Sequence, residues 1–119
     1  MYTAVVLDQV SHQKLIEALK DRLEGYDDII AHHMTINMGS CEMPTELGKP
    51  YQLKVIGIGF DALVVAVKVE TECMSDNATK HITVAVNRAL GGKPFYSNRL
   101  TNWEPFEGPI LNGIVKECS

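Results

Sequence analysis

Strand-forming runs crowd the middle of this chain too closely for helices to fit between them. Residues 51–59, YQLKVIGIG, and the apolar part of 62–72, LVVAVKV, are rich in β-branched side chains. Only Phe60-Asp61-Ala62 links them, which predicts a hairpin. After a polar loop at 74–80, residues 81–87, HITVAVN, supply a further strand. Parallel strands need crossover connections of a dozen or more residues. These links are too short for repeated crossovers, so the sheet must be mostly antiparallel.

The flanks complete the pattern. Residues 2–8, YTAVVLD, read as a first strand. Leu15, Leu19 and Leu23 recur every four residues beside Ile16, giving one apolar stripe. That spacing predicts a helix capped by Ser11, running to about Glu24 and stopped by Gly25. Residues 29–38, IIAHHMTINM, read as one strand, and 40–50 as a loop with a short helical turn. The segment with Gly91-Gly92, Pro94 and Pro105 reads as an ordered functional loop. Residues 110–117, ILNGIVKE, are expected to add a closing edge strand. The prediction is a single α+β domain over 1–119, a mostly antiparallel sheet carrying one main helix.

Charge and composition narrow the functional classes. The formal net charge is −4, which disfavours a protein that tracks along duplex nucleic acid. Residues 77–103 nevertheless hold Lys80, Arg88, Lys93 and Arg99 and no acid, against 7 basic and 15 acidic residues elsewhere. An acidic body with one basic segment suits a compact anionic ligand. The three cysteines, Cys41, Cys73 and Cys118, form no CxxC pair. Neither they nor His32 and His33 fit a recognised zinc spacing, so unlinked thiols in a reducing, cytoplasmic setting are expected. No apolar run approaches a membrane span, and Met1-Tyr2-Thr3-Ala4 lacks the basic start of a signal peptide.

Two strands share an unusual frame. One reads His33-Met34-Thr35-Ile36-Asn37-Met38 and the other His81-Ile82-Thr83-Val84-Ala85-Val86. Side chains alternate faces along a strand. Met34, Ile36 and Met38 are therefore expected inward, with His33, Thr35 and Asn37 on the opposite face. Likewise Ile82, Val84 and Val86 turn inward, leaving His81 and Thr83 outside. By the same alternation His32 should point to the core or the sheet's rim. His12, in the first helical turn, should be solvated. If the two strands are neighbours, two imidazoles and two hydroxyls share one concavity.

That set suits phosphodiester cleavage. A neutral imidazole can take the proton of an attacking water or hydroxyl, and a protonated one can give a proton to the leaving oxygen. Threonine hydroxyls can donate to the non-bridging phosphate oxygens. A single His-x-Thr in a strand is ordinary sheet surface. It is the pairing, in matching apolar frames, that points to chemistry.

These paired motifs resemble those of the 2H phosphoesterase superfamily, which includes RNA 2′,3′-cyclic phosphodiesterases, the phosphodiesterase domain of tRNA ligases and phage enzymes degrading cyclic oligonucleotides. The resemblance implies a compact two-lobed α+β fold with catalytic His33 and His81 and phosphate-binding Thr35 and Thr83. It also implies metal-independent, cofactor-free hydrolysis of a 2′,3′-cyclic phosphate, a 2′–5′ linkage or a cyclic oligonucleotide. The spacing is short for the family, and the second half has no room for a matching helix.

The basic segment supplies candidate substrate contacts. Lys93 and Arg99 are suited to a phosphate and Ser97 to a hydrogen bond. Phe95 or Tyr96 is suited to stacking on a base. Trp103 is expected to anchor the loop, and Tyr2 is a candidate to reach the site. A non-catalytic nucleotide-binding or sequestering module would use the same face. An interaction protein would instead keep the two imidazoles apart.

Overall fold

The computed structural model describes all 119 residues. Eight strands and one α-helix follow in the order β1 (Tyr2–Leu7), α1 (Gln9–Leu19), β2 (Asp28–Ile29), β3 (His33–Met38), β4 (Pro50–Phe60), β5 (Val64–Glu70), β6 (His81–Val86), β7 (Trp103–Pro105) and β8 (Ile110–Cys118). Every pairing is antiparallel. The order β6-β3-β1-β8-β4-β5 closes on itself because β5 also pairs β6, making a six-stranded barrel. Closure removes the exposed edges that an open sheet would leave. The short strands β2 and β7 add to β6 and β4 outside this ring.

The register shows where the core lies. Val115 pairs Val5, Val5 pairs Met34, Met34 pairs Ile82, Ile82 pairs Val67, and Val67 pairs Ile58. Directly opposed residues share a face, so these six form one belt around the barrel interior. All are at most 1% exposed. Leu15, Leu19 and Leu23 join the same cluster, as their spacing predicts. The helix thus contributes its apolar stripe to the barrel's core.

Several expectations need correction. The helix cap is Asp8, whose carboxylate accepts the Ser11 N–H at 2.7 Å. Ser11 lies inside the helix, and its hydroxyl accepts the Asn112 N–H at 2.7 Å. The α-helix ends at Leu19 and passes into a 3-10 turn at Lys20–Arg22, short of Glu24. The tail is no edge strand, for β8 lies between β1 and β4. Replacing Asp8 by alanine is expected to cost about 1 kcal/mol of stability, read from urea unfolding.

The remaining corrections concern the strand carrying His33 and its support. It is broken at Ala31, which has φ +44°. A non-glycine residue at positive φ is uncommon and strained unless its neighbours hold it. Here the Ala31 N–H is shared by the Thr83 and Val84 carbonyls, and the Ala31 carbonyl accepts His12 Nδ1–H at 2.8 Å. His12 is therefore a half-buried tether, not a solvated side chain. Further along, Thr3 pairs Asn37 but Ala4 pairs Thr35, so Ile36 is the extra residue of a bulge. The bulge reverses the alternation. Asn37 is buried, its amide donating to the Met38 and Ser40 carbonyls, and Met38 is 77% exposed.

The hairpin of β4 and β5 forms as expected. The segment after β6 folds as two 3-10 turns, Arg88–Leu90 and Pro94–Arg99, and its end, expected to be irregular, forms strand β7. The cysteines are all free thiols. No helix is long and apolar enough to cross a membrane.

Candidate active site

The site is built on the seam between β3 and β6, where the ladder is reduced to the single partner pair Met34–Ile82. Both side chains fill the interior, so the residues beside them face outward. Because the strands run antiparallel, this register sets His33 across from Thr83 and Thr35 across from His81. The two histidines are then diagonal neighbours across the seam, and the charge of His81 is felt at His33. The arrangement has a local twofold character, since each motif meets the reverse of the other.

A cavity of about 630 Å³ covers this seam. His33, Thr35, His81 and Thr83 all line it, together with Tyr2, His32 and Ser97. The four residues of the two motifs, drawn from positions 48 apart, are thus brought to one concavity.

His33 is the more perturbed imidazole. Its ring lies 4.8 Å from that of Tyr2, centroid to centroid. Its Nδ1 sits 2.9 Å from His32 Nδ1, so one nitrogen carries the proton and the other accepts it. Burial is the main influence, with the charges of His32 and His81 adding to it, and together they hold the His33 pKa down to about 4. At neutral pH His33 is an uncharged imidazole.

His32 is exposed and lines the cavity. Strand alternation alone points His32 to the core or the rim. The positive φ at Ala31 resets the alternation just before it, and His32 turns out beside His33 instead. No local sequence signal marks that reset.

His81 is held from both sides. Its Nδ1–H donates to the Thr79 carbonyl at 2.7 Å, and Nε2 meets Ser97 Oγ at 3.1 Å. Ser97 Oγ also bonds Thr83 Oγ1 at 2.7 Å, and its O–H donates to the Pro94 carbonyl at 2.8 Å. Ser97 is 2% exposed. The turn Pro94–Arg99 is therefore clamped onto β6 by the Ser97 hydroxyl and by Thr83 Oγ1, which donates to the Pro94 carbonyl at 3.3 Å.

Comparison with family models, curated proteins and solved structures found no match.

Of the predicted loop residues, the cavity includes Ser97 but not Lys93, Tyr96 or Arg99. The Arg99 guanidinium lies 4.3 Å from the centre of the Tyr96 ring and 5.7 Å from that of Phe95. The close stack is on Tyr96, and it turns the cation outward. Phe95 lines the cavity and is 54% exposed, so it is the aromatic open to a base. The cation at the cavity is Arg88, whose Nε donates to Asp28 at 2.9 Å while its other guanidinium nitrogens have no protein partner. The acid-free stretch marked Arg88 among its four cations, but only the turn after β6 separates it from Lys93. Asn77 and Asn98 also line the cavity and carried no signal at all. No three His, Cys, Asp or Glu side chains converge as a metal cage would require.

Proposed function

We propose that this chain is a phosphodiesterase acting on a nucleotide phosphodiester by two-histidine acid–base catalysis, without a metal. One observation carries the reading: the two imidazoles and two threonine hydroxyls lie crosswise about the Met34–Ile82 pair in one cavity. A phosphate set over that pair has an imidazole on each side and hydroxyl donors between.

The chemistry follows from the state of each ring. His33 is neutral, as a general base must be. If its Nδ1–H donates to His32 Nδ1, its Nε2 keeps a free lone pair for the attacking oxygen. The Thr79 carbonyl fixes His81 with Nε2 toward the cavity, which suits proton delivery to the leaving oxygen. Thr35, Thr83 and Arg88 supply donors and positive charge to the non-bridging oxygens. In the barrel, β3 and β6 are flanked by β1 and β8 on one side and β5 and β4 on the other. That order is compatible with the two-lobed plan of the 2H phosphoesterases. Free thiols suit a cytoplasmic setting, and the net charge of −4 suits a nucleotide or RNA end better than a duplex.

The test is turnover. Purified protein should hydrolyse members of a panel of 2′,3′-cyclic nucleotides, 2′–5′ dinucleotides and cyclic oligonucleotides, at the same rate with and without EDTA. Loss of turnover in EDTA, restored by a divalent cation, would overturn the mechanism. A non-turnover nucleotide-binding module is the second reading. It is favoured by Ser97, which occupies the cavity-facing atoms of His81 and Thr83. Recovery of unchanged ligand from the protein after incubation would select it.

A further inference from the structure

A second recess adjoins the first on the side away from His33. It holds about 370 Å³ and shares Asn77, His81, Ser97 and Asn98 with the main cavity. Its remaining wall includes Leu100, Thr101 and Trp103. His33 and Thr35 do not reach it. His81 is therefore the only histidine common to both spaces, and it stands at their boundary.

The recess has the character of a nucleoside site. Every residue lining it falls within 77–103, the stretch without a single acid. An anionic ligand thus meets no carboxylate there. Asn77, Asn98 and Thr101 offer donors and acceptors to a base or ribose. Trp103 gives an aromatic wall, with its ring centroid 6.0 Å from that of His81. The indole is seated firmly. It pairs Gly59 across β7 and β4, and a Cβ at Gly59 would lie 2.8 Å from its ring. Only glycine admits the ring so close to the strand. The Trp103 Nε1 atom is buried without a partner, so this aromatic is not held by hydrogen bonding and is placed by packing alone.

Resting on the phosphodiesterase reading, we infer that the second recess takes the nucleoside on the leaving side of the phosphorus while the main cavity, with Phe95 on its wall, holds the other, so the substrate is a diester with a nucleoside on both sides. In a terminal 2′,3′-cyclic phosphate the leaving oxygen stays on the one nucleoside, which the ring also ties to the ester oxygen that phosphorus keeps, so that nucleoside is held over the main cavity and no separate nucleoside enters the recess. In the reaction, the attacking oxygen, of water or a ribose hydroxyl, bonds to phosphorus and gives its proton to His33. The bond from phosphorus to the leaving nucleoside oxygen breaks, and that oxygen takes a proton from His81. The leaving group must then lie next to His81 and away from His33. The second recess is the space that meets this requirement.

Trp103 is the only tryptophan of the chain, so its fluorescence reports the recess directly. The His33→Ala variant would be titrated with a 2′–5′ diadenylate and with adenosine monophosphate, and the wild type assayed on the diadenylate and on 2′,3′-cyclic AMP. The dinucleotide should quench Trp103 and bind more tightly by about 5- to 150-fold, the range of one stacked base. It should also be preferred in kcat/KM. Thr101→Trp, which fills the recess from an exposed position, should collapse that preference toward one; because it adds a second indole, it is read by kcat/KM only. Equal kcat/KM for the two substrates, or a preference untouched by Thr101→Trp, would overturn the inference and leave the phosphodiesterase reading standing. Absence of histidine-dependent turnover on either substrate would remove both.

Discussion

Alanine at His33 or at His81 is expected to lower kcat/KM at least about 10²-fold, the usual contribution of a positioned acid or base. That loss corresponds to about 2.7 kcal/mol of transition-state stabilisation. The two substitutions should act on the same step, so the double variant should fall little below the poorer single one. His33 faces outward into the cavity, and its removal should leave the fold intact. His81 is 7% exposed and bonded on both ring nitrogens, so alanine there also removes a packed side chain. His81→Gln keeps much of the volume and cannot transfer the proton. It should match the alanine variant in rate while unfolding closer to the wild type. His32→Ala should cost less than either, because His32 orients the neighbouring ring and does not exchange a proton with substrate. Full activity in His81→Gln, with the variant shown to be folded by circular dichroism, would remove His81 from the chemistry.

Why these two residues were visible in the sequence, and others were not, follows from the range of the forces involved. The frames around His33 and His81 are local. Each needs only the two-residue period of a strand and an apolar partner on alternate positions. Leu15, Leu19 and Leu23 are legible for the same reason at helical spacing. Barrel closure is different. Whether β8 sits at an edge or between β1 and β4 depends on pairings between the two ends of the chain, and nothing in ILNGIVKE encodes its neighbours. The reset at Ala31 is likewise non-local, because the strain is held by carbonyls of β6 and by a histidine of the helix. Ile36 bulges only because Thr3 and Ala4 lie opposite. The loop shows the limit for a site. Ser97 and Arg99 are equally polar in sequence. One is clamped under His81 and Thr83, and the other stacks on Tyr96, because a turn of 3-10 helix sends residues two apart in different directions.

The same depressed titration that fits His33 for its role should make the fold less stable in mild acid. An unfolded histidine titrates near 6.5, and in the native protein His33 does so at about 4. Between those values the unfolded chain binds a proton that the folded one refuses. Stability therefore rises with pH across this window and is lost as pH falls through it, levelling off below about 4. A gap of this size is worth roughly 3 kcal/mol for one group. The cause is chiefly burial, reinforced by the charges of His32 and His81, while Asp76 on the same cavity wall is the one carboxylate present to oppose it. Other groups also titrate in acid. Asp27, whose carboxylate is held low by the N–H groups of Arg88 and Ala89, and Glu46, held low by Tyr51 and Lys49, both lose stabilisation as they protonate. The contribution of His33 is isolated by substitution. Urea unfolding of the wild type and of His33→Gln should be measured from pH 7 to pH 4. The variant should gain on the wild type as the pH falls, by up to roughly 3 kcal/mol at the acid end. Parallel stability curves for the two proteins would mean that His33 titrates normally in the fold. The neutral imidazole at physiological pH would then owe nothing to its surroundings, and its assignment as the base would lose its electrostatic ground.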